Sequence, residues 1–454
     1  MPMTQTSFSL AFVALVAAQQ ACPDYLEYSE QYHAPFSSGR YNLSSQRPAP
    51  PCRTFVSVKV DQTVQQYKSI IKDPDLYRLF QNAYPNTLDT AIKWKGVAAN
   101  DSTEELSFII TGDINAMWLR DSTNQMLSYL PLLVPHSGGN SLASLYRGVL
   151  NLQSRYLLTS PFCNSFQPPI ESGLAPAPNS AAASDTVYPP YSNTTVFECK
   201  YELDSLAAFL SLASAYYTAT NDTAFFARYN FVPAVQAVIN TATAMMTPTY
   251  ATNGSVLASP YSFTRLTTRQ TETLANNGLG SPVQNGTALI RSGFRPSDDA
   301  TLFQFLIPAN AMFARNLASC ATIMQAIAAG KGKNAYKDPA LAAILAAKMT
   351  SMATSLRAAI ATHGTYVDPT YGTIYAYEVD GYGGVNSMDD ANIPSLLSLP
   401  LLGYLDRSDP VYLATRAKIL SRNNPYYMQG PVLSAVGGPH DGYVISPSQQ
   451  STPC

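Results

Sequence analysis

The sequence predicts an all-α protein built as one large domain, and three observations carry that expectation. Apolar residues recur at helical spacing over long stretches rich in Ala and Leu, and no sustained β-type alternation interrupts them. The loops between these stretches are rich in Pro, Gly, Ser and Asn, yet none forms an obvious domain linker. Paired helices that close on themselves, as in an α/α toroid, fit this pattern. At 454 residues and 46% hydrophobic content the chain can bury a large core. No residue-level repeat marks a solenoid.

The chain divides into four parts. Residues 1–18 read as a signal peptide, because the apolar run Phe8 to Ala18 is too short to span a bilayer and ends in small residues suited to cleavage. Residues 19–55 form a leader rich in Pro, Ser and Tyr, expected to be extended. Residues 56–440 form the domain, with helical segments expected at Met126 to Val134, Leu142 to Leu158, Leu203 to Thr218 and Phe225 to Met246. Further segments are expected at Thr301 to Ala329, Leu341 to Thr362, Ile393 to Leu402 and Pro410 to Leu420. Residues 441–454 are a short polar tail.

Export agrees with the rest of the composition. Sequons stand at Asn42, Asn100, Asn193, Asn221, Asn253 and Asn285. The 6 cysteines lack CxxC or Cys/His spacing that would suggest zinc, so disulfides are the better reading, with Cys22–Cys52 and Cys163–Cys199 as first guesses. Spacing alone deduces no connectivity. A net charge of −2 offers no excess of cations for phosphates, which argues against nucleic acid and anionic membranes as partners. There is no nucleophile elbow, phosphate loop, dinucleotide fingerprint or His-Glu-x-x-His, and the Asp389-Asp390 pair matches no calcium loop. No cofactor or metal is expected.

The polar clusters carry the functional signal. They are GDINAMWLRDSTNQ (112–125), ECKYELDS (198–205), SGFRPSDD (292–299), YAYEVDG (375–381) and SMDDAN (387–392). Each sets carboxylates beside aromatics, or beside Pro, Gly or Ser, at the edge of a helical segment. Asp204, Asp298 and Asp389 each precede an apolar run and could simply cap a helix, the commoner job for a single Asp at such a place. Five clusters together point further. A pyranose presents hydroxyls that pair with carboxylates and Arg, and an apolar face that rests on aromatic rings. Breaking a glycosidic bond then needs one carboxyl to protonate the leaving oxygen and a second carboxylate as base or nucleophile.

In these motifs, together with MDDANIPSLLSLPLLGY (388–404) and NPYYMQG (424–430), the sequence resembles glycoside hydrolase family 125, the exo-α-1,6-mannosidases. The resemblance runs in order from about residue 65 to residue 440. It implies an (α/α)6 barrel that removes single terminal mannoses with inversion and without a metal. The FRPSDD motif supplies the family's general acid, placed at Asp299, with Asp298 as the weaker alternative; an adjacent like charge within that pair would help hold the proton. Trp118, Arg120 and Asp121 would grip the terminal mannose, anchored by a helix over Met126 to Val134. Asp204, Arg295, Asp389, Asp390 and His440 are candidates for the same pocket. The implied partner is a mannose-containing oligosaccharide.

One departure affects the chemistry. Family members continue past Gly438-Pro439-His440 to a His-Glu-Ser-Phe-like stretch whose glutamate is the base that activates water, whereas Asp441 to Cys454 (DGYVISPSQQSTPC) contains no glutamate. The resemblance therefore implies an incomplete barrel with the first and last helices exposing apolar faces. It also implies a missing general base, which would lower hydrolysis by roughly 10²–10⁴-fold. The competing class is a secreted mannoside-binding protein without turnover. The same mannose pocket would serve either.

Overall fold

The computed structural model describes residues 22–330, 336–430 and 433–441. The expected signal peptide lies outside the described residues, as does the tail beyond Asp441. Nine helices of nine or more residues appear among the described residues. They are α1 (Val58–Ile70), α2 (Pro74–Ala83), α3 (Leu119–Leu127), α4 (Leu142–Thr159), α5 (Leu203–Thr220), α6 (Phe231–Ala244), α7 (Ile307–Ala329), α8 (Pro339–His363) and α9 (Pro410–Ile419).

The helices pack through apolar faces, which is where the all-α expectation holds. α7 lies between α5 and α8, α3 packs on α5, and α4 packs on α6. On α7 the buried residues Ala309, Ala311, Ala314 and Ala321 leave room for close neighbours, while Phe313 and Leu317 fill the space between. Phe313 is fully buried, so Phe313→Ala would cost about 3–5 kcal/mol through lost burial and the cavity left behind. α1 and α2 leave Val58, Ile70, Leu76 and Leu79 exposed, and α9 leaves Leu413 exposed.

Four helix starts away from the polar clusters carry side-chain caps, whereas α1 and α6 start on Ser57 and Asn230 without one. Asp73, Ser141, Asp338 and Asp409 each accept a backbone N–H in the first turn of α2, α4, α8 and α9. α3, α5 and α7 begin instead on Trp118, Glu202 and Leu306, none of which caps with its side chain. These three uncapped starts surround the polar clusters.

Several expected elements are redrawn. The segment Met126 to Val134 is not a helix: α3 ends at Leu127, and a single 3-10 turn, Leu130–Leu132, follows, where Pro131 has no N–H to continue an α-helix. Phe225 to Met246 is broken at Tyr229, whose φ of 54° is left-handed. The helix expected from Thr301 begins only at Ile307. Ile393 to Leu402 forms successive turns, because the Asp389 carboxylate and the Ser395 and Ser398 hydroxyls bond backbone that a helix would pair internally.

Short strands also occur, contrary to the absence of β pattern. Ile92–Val97 and Glu105–Ile109 form an antiparallel hairpin against α4. Two three-stranded sheets are assembled from pieces of two or three residues, too short for alternation to register. The leader is not free-running either. It contains the short helix Tyr25–Ser29, is tied by the Cys22–Cys52 disulfide, and reaches Asp89 through Arg47 (Nε–Oδ2, 2.6 Å). Cys163–Cys199 is the second disulfide. Cys320 is buried without a disulfide partner among the described residues.

Candidate active site

Two small sheets bring the sequence motifs together. The first pairs Met117–Trp118 with Ser165–Phe166 and then Val196–Glu198, so the start of α3, the Cys163 loop and the approach to α5 meet. Cys163–Cys199 and a bond from the Lys200 N–H to the Asn164 Oδ1 (3.1 Å) hold that junction. The second pairs Phe305–Leu306, which leads into α7, with Glu378–Val379, and Glu378–Val379 with Val385–Asn386. The FRPSDD turn lies beside both. Its backbone is closed by bonds from Asp298 N to Arg295 O (2.9 Å) and from Arg295 N to Asp299 O (2.8 Å).

Arg120 organises one half of the site. Its Nη1 donates to Glu202 Oε2 at 2.5 Å and to Asp204 Oδ2 at 3.1 Å; its Nη2 lies 3.3 Å from Asp121 Oδ2 and 4.0 Å from Asp298 Oδ1. One guanidinium thus faces four carboxyl groups. Glu202, raised mainly by burial and further by Asp298 and Asp204, lies well above the ordinary range even beside Arg120. Burial also raises Asp121 and Asp204. Asp298 is opposite in sign: burial acts upward, but Arg120 and a hydrogen bond with Glu202 carry it below its ordinary value. Asp204 sits inside the first turn of α5 and does not cap it.

The two aspartates of FRPSDD face different partners. Asp298, in a left-handed conformation with φ 65°, reaches Asn164 (Nδ2–Oδ1, 3.3 Å) and keeps about 30% of its side chain exposed. Such strain is tolerated where surrounding structure enforces it and clusters at functional sites. Asp299 is buried, with Oδ1 3.5 Å from His440 Nδ1. Burial raises Asp299, but the polar groups around it, His440 first, outweigh it and leave the carboxyl below its ordinary value. The carboxyl that shares a partner with Asp298 is therefore Glu202, through the Asn164 amide.

Arg295 and Glu378 form the other half. Their two-point ion pair is reinforced by bonds to Glu378 Oε2 from the Leu302 and Phe303 N–H groups and the Asn386 amide. Asp390 lies near Arg295, and a Cβ on Gly438 would stand 3.1 Å from its Oδ1, so a side chain just before the turn that carries His440 would push this carboxylate aside by a few tenths of an ångström. Asp389 is separate. It is fully buried and gives both oxygens to the Leu396 and Leu397 N–H groups (2.8 and 3.0 Å), which corrects the expectation that it lines the pocket. Burial pushes its carboxyl up to about 7.

Trp118 packs its ring against Phe197, 5.5 Å between centroids. Its Nε1, with Asp204 Oδ1, Asp299 Oδ2 and Asp390 Oδ2, is buried with no hydrogen-bond partner among the described residues. Buried polar atoms are normally paired, so this concentration marks a place prepared for a polar ligand. A cavity of about 690 Å³ adjoins the Asp299 side, lined by Thr271, Leu274, Arg295, Met388, Tyr426 and Pro439 among others. A smaller one of about 220 Å³ lies beside Arg147, which pairs with Glu105, and Asp222, whose Oδ2 lies 3.6 Å from His136 Nδ1.

Trp118, Arg120, Asp121, Asp204 and Asp298 are thus brought together; Asp299 and His440 pair beside them, and Arg295 and Asp390 meet across the same turn. Asn164, which joins Glu202 to Asp298, has no sequence signature. Glu202 was visible in ECKYELDS, but nothing in the spacing separates it from its neighbours.

Carboxylates gathered round arginines beside aromatic rings, at the starts of packed helices, define a pocket of glycoside hydrolase type. The chain belongs to the family of metal-independent α-mannosidases, GH125, whose profile matches residues 73–446, and is by family an α-mannosidase glycoside hydrolase. It is 44% identical over 438 residues to the meiotically up-regulated gene 157 protein of Schizosaccharomyces pombe, covering 96% of this chain and 82% of that protein. It is also similar to a solved metal-independent α-mannosidase of Streptococcus pneumoniae, in a non-productive complex with α-1,6-mannobiose. That match has 30% identity and a TM-score of 0.69, over 85% of this chain and 82% of that one.

Proposed function

We propose that the protein is an inverting exo-α-1,6-mannosidase that removes terminal mannose from oligosaccharides or glycans. The observation that carries this reading is the group of four carboxyls around Arg120, in a chain similar to a mannosidase solved with α-1,6-mannobiose. Trp118, Arg120, Asp121 and Asp204 would hold the terminal sugar, with Arg295, Asp390 and His440 on the other side of the FRPSDD turn.

The general acid comes from the Asp298–Asp299 pair. The motif alone favoured Asp299; the geometry favours Asp298, whose part-exposed carboxyl shares the Asn164 amide with Glu202, a carboxyl that burial pushes up, while Asp299 is buried against His440. The base is assigned to none of the described carboxylates that are already engaged. Glu378 is held by Arg295 and three N–H donors, and Asp389 by two backbone amides. The reading includes an (α/α)6 toroid, for which the packing of α7 between α5 and α8 and of α4 on α6 speaks.

The test is release of free mannose from α-1,6-mannobiose, with proton NMR to read the anomer first formed. Asp298→Asn is expected to lower kcat by about 10²–10⁴-fold, and Asp299→Asn by less. Binding of mannobiose with no mannose released would sink the hydrolase reading and leave a mannoside-binding protein. Export is part of the proposal: all six sequon asparagines are exposed, and protein from a secreting host should lose mass on N-glycosidase treatment.

A further inference from the structure

We infer that Glu202, buried behind Asp298 and out of reach of substrate, is the positioning residue that stores the proton Asp298 delivers to the leaving oxygen. The inference rests on the mannosidase reading above and assigns a role to a residue which that reading leaves idle.

The geometry shows a carboxyl pair built as a unit. The single amide nitrogen of Asn164 lies 3.2 Å from Glu202 Oε1 and 3.3 Å from Asp298 Oδ1, so one donor grips both groups. Glu202 Oε2 is held by Arg120 at 2.5 Å and by the Ser205 hydroxyl at 3.1 Å, which fixes its plane. Glu202 has no exposed side-chain surface, whereas Asp298 keeps about 30%. One member is therefore sealed and the other is partly open to solvent.

Charge explains why a proton stays. Asp121 on α3, Asp204 on α5, Glu202 and Asp298 all face Arg120, and Lys200 and the His440 ring also act on Asp298. Four ionised carboxylates round one guanidinium in a buried setting would be strongly repulsive, so at least one remains protonated, and the sealed Glu202 is the favoured holder. The pair titrates as one system carrying one proton.

The step balances within the pair. As the C1–O bond breaks and its electron pair moves to the leaving oxygen, that oxygen takes a proton from Asp298. Glu202 passes its own proton across the shared hydrogen bond, so the pair ends doubly ionised against Arg120. It regains one proton from solvent after the product leaves. The attack of water on C1 does not involve Glu202.

The experiment compares Glu202→Gln, Asn164→Ala and Asp298→Asn in the full chain, after circular dichroism has confirmed folding. Glu202→Gln preserves hydrogen bonding to Arg120 but removes the stored proton. It should lower kcat on α-1,6-mannobiose about 10–100-fold with little change in KM. It should also move the basic limb of the kcat/KM profile to lower pH, because Asp298 alone beside Arg120 ionises more readily. On an aryl mannoside whose leaving group needs no proton, the rate should be nearly unchanged. Asn164→Ala should shift the same limb by less.

Independently of turnover, infrared spectroscopy of ¹³C-glutamate-labelled protein should show one protonated glutamate carboxyl at neutral pH that vanishes in Glu202→Gln. If that band is absent, or if Glu202→Gln keeps the parent pH profile while Asp298→Asn is inactive, the inference falls and the mannosidase reading stands. If Asp298→Asn cleaves mannobiose normally, the assignment of the acid fails first and takes this inference with it.

Discussion

Arg295 meets Glu378 in a two-pronged ion pair, Nε to Oε1 at 2.6 Å and Nη2 to Oε2 at 3.1 Å, with both side chains shut away from solvent. Because Glu378 also receives the Leu302 and Phe303 N–H groups, the pair fixes the stretch between the FRPSDD turn and α7. Glu378→Gln leaves Arg295 buried without its counter-charge, a change worth about 3–5 kcal/mol when a buried pair is broken. The urea midpoint should fall accordingly, while the pH profile of the remaining folded enzyme keeps its shape. A lost basic or acidic limb would instead give Glu378 a chemical role.

Arg120→Met removes the guanidinium that, among the described residues, faces Glu202, Asp204, Asp121 and Asp298. Without it these carboxyls, already raised by burial in three of the four cases, hold protons more tightly still. Folded-state values above unfolded ones favour the fold at low pH and penalise it as pH rises. The variant is therefore expected to melt well below the parent at pH 8 and much closer to it at pH 5, read by differential scanning calorimetry. An equal deficit at both pH values would show that Arg120 matters by packing alone.

Asp389 offers a cleaner titration. Its folded value of about 7 exceeds the unfolded value of 3.8, so the folded state binds more protons between them. Stability from this group is full below the unfolded value and declines until pH passes about 7, by up to about 1.4 kcal/mol per pH unit. Asp389→Asn should flatten that part of the stability curve relative to the parent. Parallel curves for the two proteins would count against a raised Asp389.

With only two tryptophans in the chain, Trp118 can be watched directly. Its ring borders the site and its Nε1 lacks a hydrogen-bond partner among the described residues, so in a Trp94→Phe background mannobiose should change the emission intensity or maximum. The change should saturate with binding. A silent titration alongside binding measured by calorimetry would place the sugar elsewhere.

Sequence patterning revealed the helices and missed what joins them. α4 and α5 begin at the expected residues, Leu142 and Leu203, because an apolar face of five turns leaves a strong period. The strands at Met117–Trp118, Ser165–Phe166 and Phe305–Leu306 are pairs of residues, and a period of two cannot show in two residues. The run at 393–402 looked helical from its leucines; the Asp389 carboxylate that diverts its backbone acts across a loop. Within the site, motif residues around Arg120 were legible as a group, but their relations were not. That Asp298 turns toward Glu202 and Asp299 toward His440 follows from one left-handed residue, which side-chain chemistry alone does not announce.

The Cys163–Cys199 bridge has a consequence for making the protein. The residues that follow its two cysteines, Asn164 and Lys200, are hydrogen-bonded to each other, and Asn164 is the amide that grips Glu202 and Asp298. Oxidation of one thiol pair and alignment of the carboxyls are thus a single assembly event. A chain translated into a reducing cytosol would keep its helical core, which needs no bridge, yet leave this junction hinged. Preparations would then look well folded by helix content while differing in catalytic competence according to the compartment in which they matured.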